Sequence, residues 1–410
     1  MIDPLSIRKD FPMYRDHIEM QGKPLIWLDN ASTTFKPDCV IEAIERYYKK
    51  ETSNSHRGDY DLCYQMDQEV MKTRKAVANL IHCKPEEVVF TSGATEGVNL
   101  ISFGWAMEHL KEGDEILLNE AEHASNVLPW YKAAKVTGAV VKFVPLTEEG
   151  RVSVENLKAA ISNKTKIVAC AHVTNVLGYI APIKELAKIA HEHGAIFVMD
   201  GAQSVPHMKI DVKDLDVDFL VFSGHKMCGP TGIGVLYGKY SRLEETQPYM
   251  SGGGMNDKFN MCGEATFLEP PARFEAGTQH LAGIIGLRAA IEYLQSIGLE
   301  EINKYEEELK AYAVKKLEET GNAIIYNAKS EAGIVTFNIK DVFAQDGATY
   351  LNSRGIACRS GQHCAKILND FLKTPATIRA SFYFYTTKDD IDALADAVKN
   401  GGNYLDAFFN

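Results

Sequence analysis

The chain has 410 residues, 45% of them hydrophobic and 24% charged, with a formal net charge of -11. This length fits two or three domains and a core that needs neither disulfides nor structural metals. The acidic balance excludes general binding to nucleic acid or anionic membranes, which takes a basic surface, and leaves small anionic ligands open.

The apolar runs, such as residues 167–173, are too short to span a bilayer. The first residues, MIDPLSIRKDFPMY, lack the long apolar stretch of a signal peptide. The expectation is a cytoplasmic protein. Eight cysteines, at 39, 63, 83, 170, 228, 262, 358 and 364, form no CxxC pair and no small disulfide framework. Most are expected to be free thiols, the first six of them buried as small hydrophobes.

From residue 87 onward, β-branched runs alternate with amphipathic ones. EVVFTS (87–92) predicts a strand, 95–113 a helix, EILLN (115–119) a strand and 124–137 a helix. VVKFVP (140–145), KIVACAH (166–172) and AIFVMD (195–200) predict strands, with a helix over 183–193 before the last. FLVFSG (219–224) and IGVLYG (233–238) follow as strands. Such alternation predicts an α/β unit with a mostly parallel sheet covered by helices. Ligands of such sheets bind outside the carboxyl ends of the strands.

Composition shifts near 264–277, and helical patterns follow over 283–297 and 299–320. GIVTFNI, a short helix, GIACR, RASFYFY and a last helix from Lys388 read as a smaller α+β domain. The division expected is an N-terminal segment, 1–20, packing on the small domain, a large domain, 21–282, and a small domain, 283–410.

Three strand ends carry chemistry. In TSGATEG (91–97) a glycine turn leads into a helix, whose free amides and the Thr95 hydroxyl suit a phosphate; a plain helix cap explains the segment too. Asp200 follows a strand, with Gln203 three residues on, and an acid there suits a protonated ring nitrogen or a helix cap. Ser223, His225 and Lys226 follow another strand among glycines, and a sheltered lysine can reach an aldehyde. A phosphate cradle, an acid for a pyridinium and a lysine for an aldehyde are together what pyridoxal 5'-phosphate needs.

The segments SNSHRG (53–58), AEHASNVLPW (121–130), HVTNVLGYIAPI (172–183), DGAQS (200–204), FSGHKMCGPTGIGVLYG (222–238) and RFEAGT (273–278) resemble the cysteine desulfurases. More specifically they are similar to the SUF-type, group II branch, which groups with selenocysteine lyases. The resemblance runs from LIWLDNASTT (25–34) to RASFYFYTT (379–387). It implies the aspartate-aminotransferase-like fold of pyridoxal-phosphate enzymes (fold type I) and a homodimer.

Carried over by likeness, Lys226 holds the cofactor and moves the Cα proton. Asp200 pairs with the ring nitrogen, Gln203 meets the phenolic oxygen, and His123 stacks on the ring and serves as acid or base. Thr95, Ser223 and His225 hold the phosphate, with Thr278 reaching the phosphate in the other subunit. Arg379 and Asn175 take the substrate carboxylate, and His56, Arg57 and Arg359 line the pocket or position loops. In CRSGQHCAK (358–366), Cys364 takes sulfur from L-cysteine as a persulfide, releasing alanine, and Cys358 packs or stays an idle thiol. Arg359 and His363 are expected to favour the Cys364 thiolate. The implied partner is a sulfur-acceptor protein of the SUF system, serving iron–sulfur cluster assembly.

The sequence departs from the family pattern at Gln362, at Gln279-His280 and in DVFAQD (341–346). Two other readings stay open. One is a selenocysteine lyase or another pyridoxal-phosphate lyase or aminotransferase of this fold. The other is a metal-binding scaffold on Cys358, His363 and Cys364, though that spacing fits no common zinc pattern. No metal site is expected: HEHG (191–194) reads as a helix end, and SGGG (251–254) lacks the lysine-serine pair of a nucleotide loop.

Overall fold

A computed structural model describes residues 2–55 and 58–401. Its centre is a seven-stranded sheet in the order Val88–Thr91, Gly234–Gly238, Phe219–Ser223, Ile196–Asp200, Thr165–Ala171, Glu115–Asn119, Val140–Val144. Only Gly234–Gly238 runs antiparallel to its neighbours. The inner strands are buried on both faces, and their side chains alternate between two cores. Phe197, Met199, Leu220 and Phe222 enter one, and Ile196, Val198, Phe219 and Val221 the other. That is why these strands are near-continuous apolar runs.

A second sheet, antiparallel throughout, has the order Ala323–Ile325, Ile334–Ile339, Thr377–Ser381, Arg359–Gly361. The long helices Leu281–Ile297 and Leu299–Glu319 lie between the two sheets in sequence. Ile26–Trp27 pairs in parallel with Ile356–Ala357, so the chain touches this second layer early and then crosses to the first.

Several expectations need correction. The helix over 95–113 is Ala94–Leu100, a π-helical stretch Ile101–Ala106, and Met107–His109. Gly104 accounts for the wider turn: a Cβ there would lie 2.1 Å from the Gln247 carbonyl oxygen, and Gln247 N donates to Gly104 O at 2.8 Å. The helix over 124–137 is a 3₁₀ turn, Ala124–Asn126, and a helix, Leu128–Thr137, restarted at Pro129. RASFYFY is a strand only to Ser381. Phe382, Tyr383, Phe384 and Tyr385 are all buried, which an alternating strand cannot achieve, and they turn into an aromatic cluster. Phe11 joins it at 4.9 Å from Tyr385, as does Tyr14 at 5.5 Å, while Met13 stays at the surface. An exposed hairpin, Asn256–Phe259 with Ala265–Phe267, had no sequence signal.

All eight cysteines are free. Cys63, Cys170 and Cys228 are buried, but Cys39 and Cys262 are exposed and Cys83 is partly so, so burial of the first six holds only in part. Gly194 closes its helix at φ +73°, with His193 Nδ1 on the Ile189 carbonyl and His191 paired to Asp218. Among the described residues no three His, Cys, Asp or Glu side chains gather as a metal site, and no helix is long and apolar enough to cross a membrane.

Candidate active site

A cavity of about 220 Å³ opens at the carboxyl ends of the parallel strands. Strand Ile196–Asp200 delivers Asp200 to it, Phe219–Ser223 delivers Ser223, and the next 3₁₀ turn, Gly224–Lys226, delivers His225 and Lys226. Thr95, His123, Asn175, Gln203, Arg359 and Arg379 complete the side already singled out.

Lys226 is partly buried in the cavity wall, and the loss of water around its amine pulls it down to about 8; Asp200 opposes this, while Arg379 and Arg359 add to it. Asp200 accepts from Ala202 N at 2.9 Å, and burial raises its carboxyl although Lys226 favours the charge. Gln203 Nε2 donates to Ala31 O at 2.8 Å. His123 Nδ1 accepts from Ser125 N at 3.1 Å, so its remaining proton sits on Nε2. Burial, with Lys226 and both arginines, lowers this histidine to about 4, and it is neutral near pH 7. His225 is likewise lowered to about 4, mainly by burial.

At the helix start, Ala94 N donates to Ser223 Oγ at 2.9 Å and the Thr95 and Ser125 hydroxyls meet at 2.8 Å. The backbone is open here because Gly93 and Gly234 touch: a Cβ on Gly234 would lie 2.4 Å from Gly93 Cα.

Arg379 is buried, donating to Asn175 O at 2.8 Å, Ser32 Oγ at 2.9 Å and Asp29 Oδ1 at 3.2 Å. Its Nε and the Asn175 Oδ1 are buried with no partner in the protein. A donor and an acceptor left open in this way suit an amino acid's polar groups. Asn175 Nδ2 is committed to the His363 carbonyl at 2.8 Å.

Cys364 stands exposed outside the cavity lining, on the loop that follows the strand bearing Arg359. Arg359 Nη2 reaches its sulfur at 3.7 Å. His363 and Cys364 both hold left-handed backbone, φ +49° and +57°. Each costs about 1–2 kcal/mol in a non-glycine residue. The conformation persists because both carbonyls are tied, His363 O to Asn175 and Cys364 O to Ala124 N at 2.7 Å. These ties fix Cys364 beside the turn that bears His123.

His363 requires a correction. Its Nε2 faces the Thr377 hydroxyl and carbonyl at 2.9 and 3.0 Å, and burial lowers it to about 3. It is a neutral anchor and supplies no charge to Cys364. Gln362 is exposed and lies outside the cavity lining. Cys358 is partly buried against the second sheet, and burial raises its thiol. Thr278 is exposed and lies outside this cavity, meeting Asn54 Nδ2 at 3.3 Å. His56 and Arg57 lie outside the described residues.

The sequence reading missed Asp29 and Ser32, which hold the arginines, and Ser125 at the helix start. It also missed Glu122. This carboxyl lies buried below the cavity floor, accepting from Ala171 N and Asn126 Nδ2, both at 2.8 Å, and burial pushes it up to about 8. The polar run DNASTT between strand and helix was a usable signal for the first two.

The aminotransferase class-V family profile matches residues 26–394. A probable cysteine desulfurase of Halalkalibacterium halodurans is 48% identical over 98% of this chain and 99% of its own length. One from Staphylococcus aureus is 44% identical over 97% and 96%. Among solved structures, a cysteine desulfurase from Escherichia coli superposes with a TM-score of 0.91 at 34% identity, over 98% of this chain and 99% of that one. The apo cysteine desulfurase of Thermococcus onnurineus gives 0.92 at 37%, over 98% of both. The chain belongs to the class-V aminotransferases and, within that family of pyridoxal-phosphate enzymes, to the cysteine desulfurases.

Proposed function

We propose that the protein converts L-cysteine to L-alanine and keeps the sulfur as a persulfide on Cys364 for an acceptor protein. The observation that carries this reading is one cavity lined by Lys226, Asp200 and Arg379, with an exposed cysteine on the loop after the strand that supplies Arg359.

Bound pyridoxal phosphate supplies a covalent hold on the amino group and a sink for negative charge at Cα. The residues present fit it. Asp200 takes the ring nitrogen, Gln203 the phenolic oxygen, and His123 a ring face. Thr95, Ser223 and His225 take the phosphate, with Thr278 serving the second copy of a homodimer. Lys226 is the attachment point. With its amine lowered to about 8, a share of it is neutral near pH 7 and can carry the Cα proton.

Arg379 holds the substrate carboxylate, a task suited to a planar guanidinium; Asn175 joins it by family likeness, its Nδ2 leaving the His363 carbonyl to do so. His56 and Arg57 join the pocket by resemblance alone. Arg359 steadies the Cys364 sulfur. The Cys364 thiolate attacks the substrate sulfur, forming an S–S bond as the Cβ–S bond breaks. The electron pair of that bond stays with carbon, which takes up a proton to become the methyl of alanine. The substrate carbon is reduced by two electrons, one from each sulfur of the new S–S bond, so no external oxidant is needed.

The acceptor is a SUF-type sulfur carrier feeding iron–sulfur cluster assembly in the cytoplasm. Family likeness and the exposure of Cys364 support this. The testing pair is Lys226→Ala and Arg379→Lys. The first should abolish alanine release. The second should raise KM for L-cysteine about 10–100-fold by losing the bidentate grip. An unchanged KM would refute the carboxylate assignment.

A further inference from the structure

We propose that Lys36 is a positioning residue for Lys226, acting through the His225 carbonyl. The inference rests on the reading of Lys226 as the cofactor's attachment point.

The His225 carbonyl belongs to the peptide bond that leads into Lys226. Four donors converge on it: Thr33 Oγ1 at 3.0 Å, Thr34 N and Thr34 Oγ1 at 3.1 Å each, and Lys36 Nζ at 3.2 Å. A carbonyl oxygen has two lone pairs, so the four donors share it, and Lys36 is the charged one among them. Lys36 Nζ also donates to Thr34 O, and to Thr33 Oγ1 at 3.3 Å. The ammonium therefore gathers its own segment and the lysine-bearing turn around one point. Thr34 Oγ1 closes the arrangement by accepting from Cys228 N at 2.8 Å, on the far side of Lys226.

The same segment reaches the other end of the cavity. Ser32 Oγ accepts from Arg359 Nη1 at 3.0 Å and Arg379 Nη2 at 2.9 Å. Residues 32–36 thus set the spacing between the catalytic lysine and both arginines. Lys36 does not line the cavity, and its direct contact with the lysine-bearing turn is the His225 carbonyl. The segment has other anchors: Phe35 and Pro37 are buried, and Phe35 N donates to Tyr385 Oη at 3.1 Å. Replacing the ammonium should therefore leave the segment folded.

The test compares two cofactor forms on the full-length apo protein. Pyridoxal phosphate bonds to Lys226, whereas pyridoxamine phosphate fills the same site and has no aldehyde to react. Equilibrium binding of each is measured for the unmodified protein, Lys36→Met, Lys36→Arg and Thr33→Val, and for Lys36→Met combined with Lys226→Ala. Lys36→Met is expected to weaken pyridoxal phosphate about 10-fold, the scale of one charge-assisted hydrogen bond, and to leave pyridoxamine phosphate within about twofold. Lys36→Arg should restore most of the loss. Thr33→Val, which removes one donor and no charge, should move the ratio the same way by less. On the Lys226→Ala background, Lys36→Met should change neither affinity. Equal weakening of both forms would assign Lys36 a structural role and overturn the proposal, as would unchanged pyridoxal phosphate binding. If Lys226→Ala alone keeps full pyridoxal phosphate affinity, the Lys226 assignment itself fails, a pattern distinct from either.

Discussion

Arg359 and Arg379 stand directly opposite each other on adjacent antiparallel strands. Cross-strand partners leave a sheet on the same face, so both guanidiniums serve one cavity. Burial lowers Arg379 from its ordinary value, and repulsion from Arg359 adds a smaller part. Ser32 accepts from both, and Asp29 supplies one carboxylate at 3.2 Å from Arg379. A single carboxylate between two cations leaves room for an anion.

Arg359 combines this field with the contact to Cys364. Arg359→Gln should lower kcat/KM for alanine formation about 10-fold, the cost of one hydrogen bond to a charged group. The cofactor absorbance of the purified protein should stay the same, since Arg359 meets the substrate end. Steady-state kinetics and a spectrum decide this; an unaltered kcat/KM removes Arg359 from the mechanism.

The buried histidines set an acid limit. His172 is lowered to about 4 and His363 to about 3, both chiefly by burial. Their unfolded value is near 6.5. Below that pH the unfolded chain binds protons that the folded protein refuses, so stability falls as pH drops. The loss runs from about 6.5 down to the folded values, at up to about 1.4 kcal/mol per pH unit for each histidine. Thermal unfolding of the apo protein from pH 7 to 4 should show a falling Tm. His363→Gln should make that fall shallower; a slope unaltered by the substitution contradicts the assignment.

Gly234 is where the turn at Gly93 meets the sheet. Gly234→Ala would place its Cβ 2.4 Å from Gly93 Cα and 2.6 Å from the Phe222 carbonyl oxygen. Both obstacles are backbone and cannot rotate away. The change should cost about 1–3 kcal/mol of stability and weaken pyridoxal phosphate binding. Denaturant unfolding and cofactor titration measure the two effects.

Strand ends were legible because an α/β sheet presents its chemistry there, and Lys226, Asp200 and Ser223 each follow a plain apolar run. Arg379 and Cys364 took meaning only from the family pattern, since nothing local says that strand Thr377–Ser381 faces the cavity. The anchoring role of His363 was hidden for a physical reason. A histidine beside a cysteine reads as a potential cation, and only burial against Thr377 shows that it is neutral. Asp29, Ser32 and Lys36 act across more than 180 residues of sequence, on Arg379 or His225, which no spacing rule captures. The π-helical stretch at Ile101–Ala106 depends on the contact of Gly104 with Gln247, equally remote.

The central claim is that sulfur passes through Cys364. The most direct measurement adds L-cysteine to the purified holoenzyme and to Cys364→Ala, then follows alanine release and the mass of the protein. The account predicts alanine and a Cys364-borne sulfur adduct for the unmodified protein. For Cys364→Ala it predicts retained cofactor, no adduct and alanine near background, in contrast to L-selenocysteine, whose turnover a selenocysteine lyase would sustain without this thiol. Alanine release and sulfur transfer at full rate from L-cysteine in Cys364→Ala would contradict it.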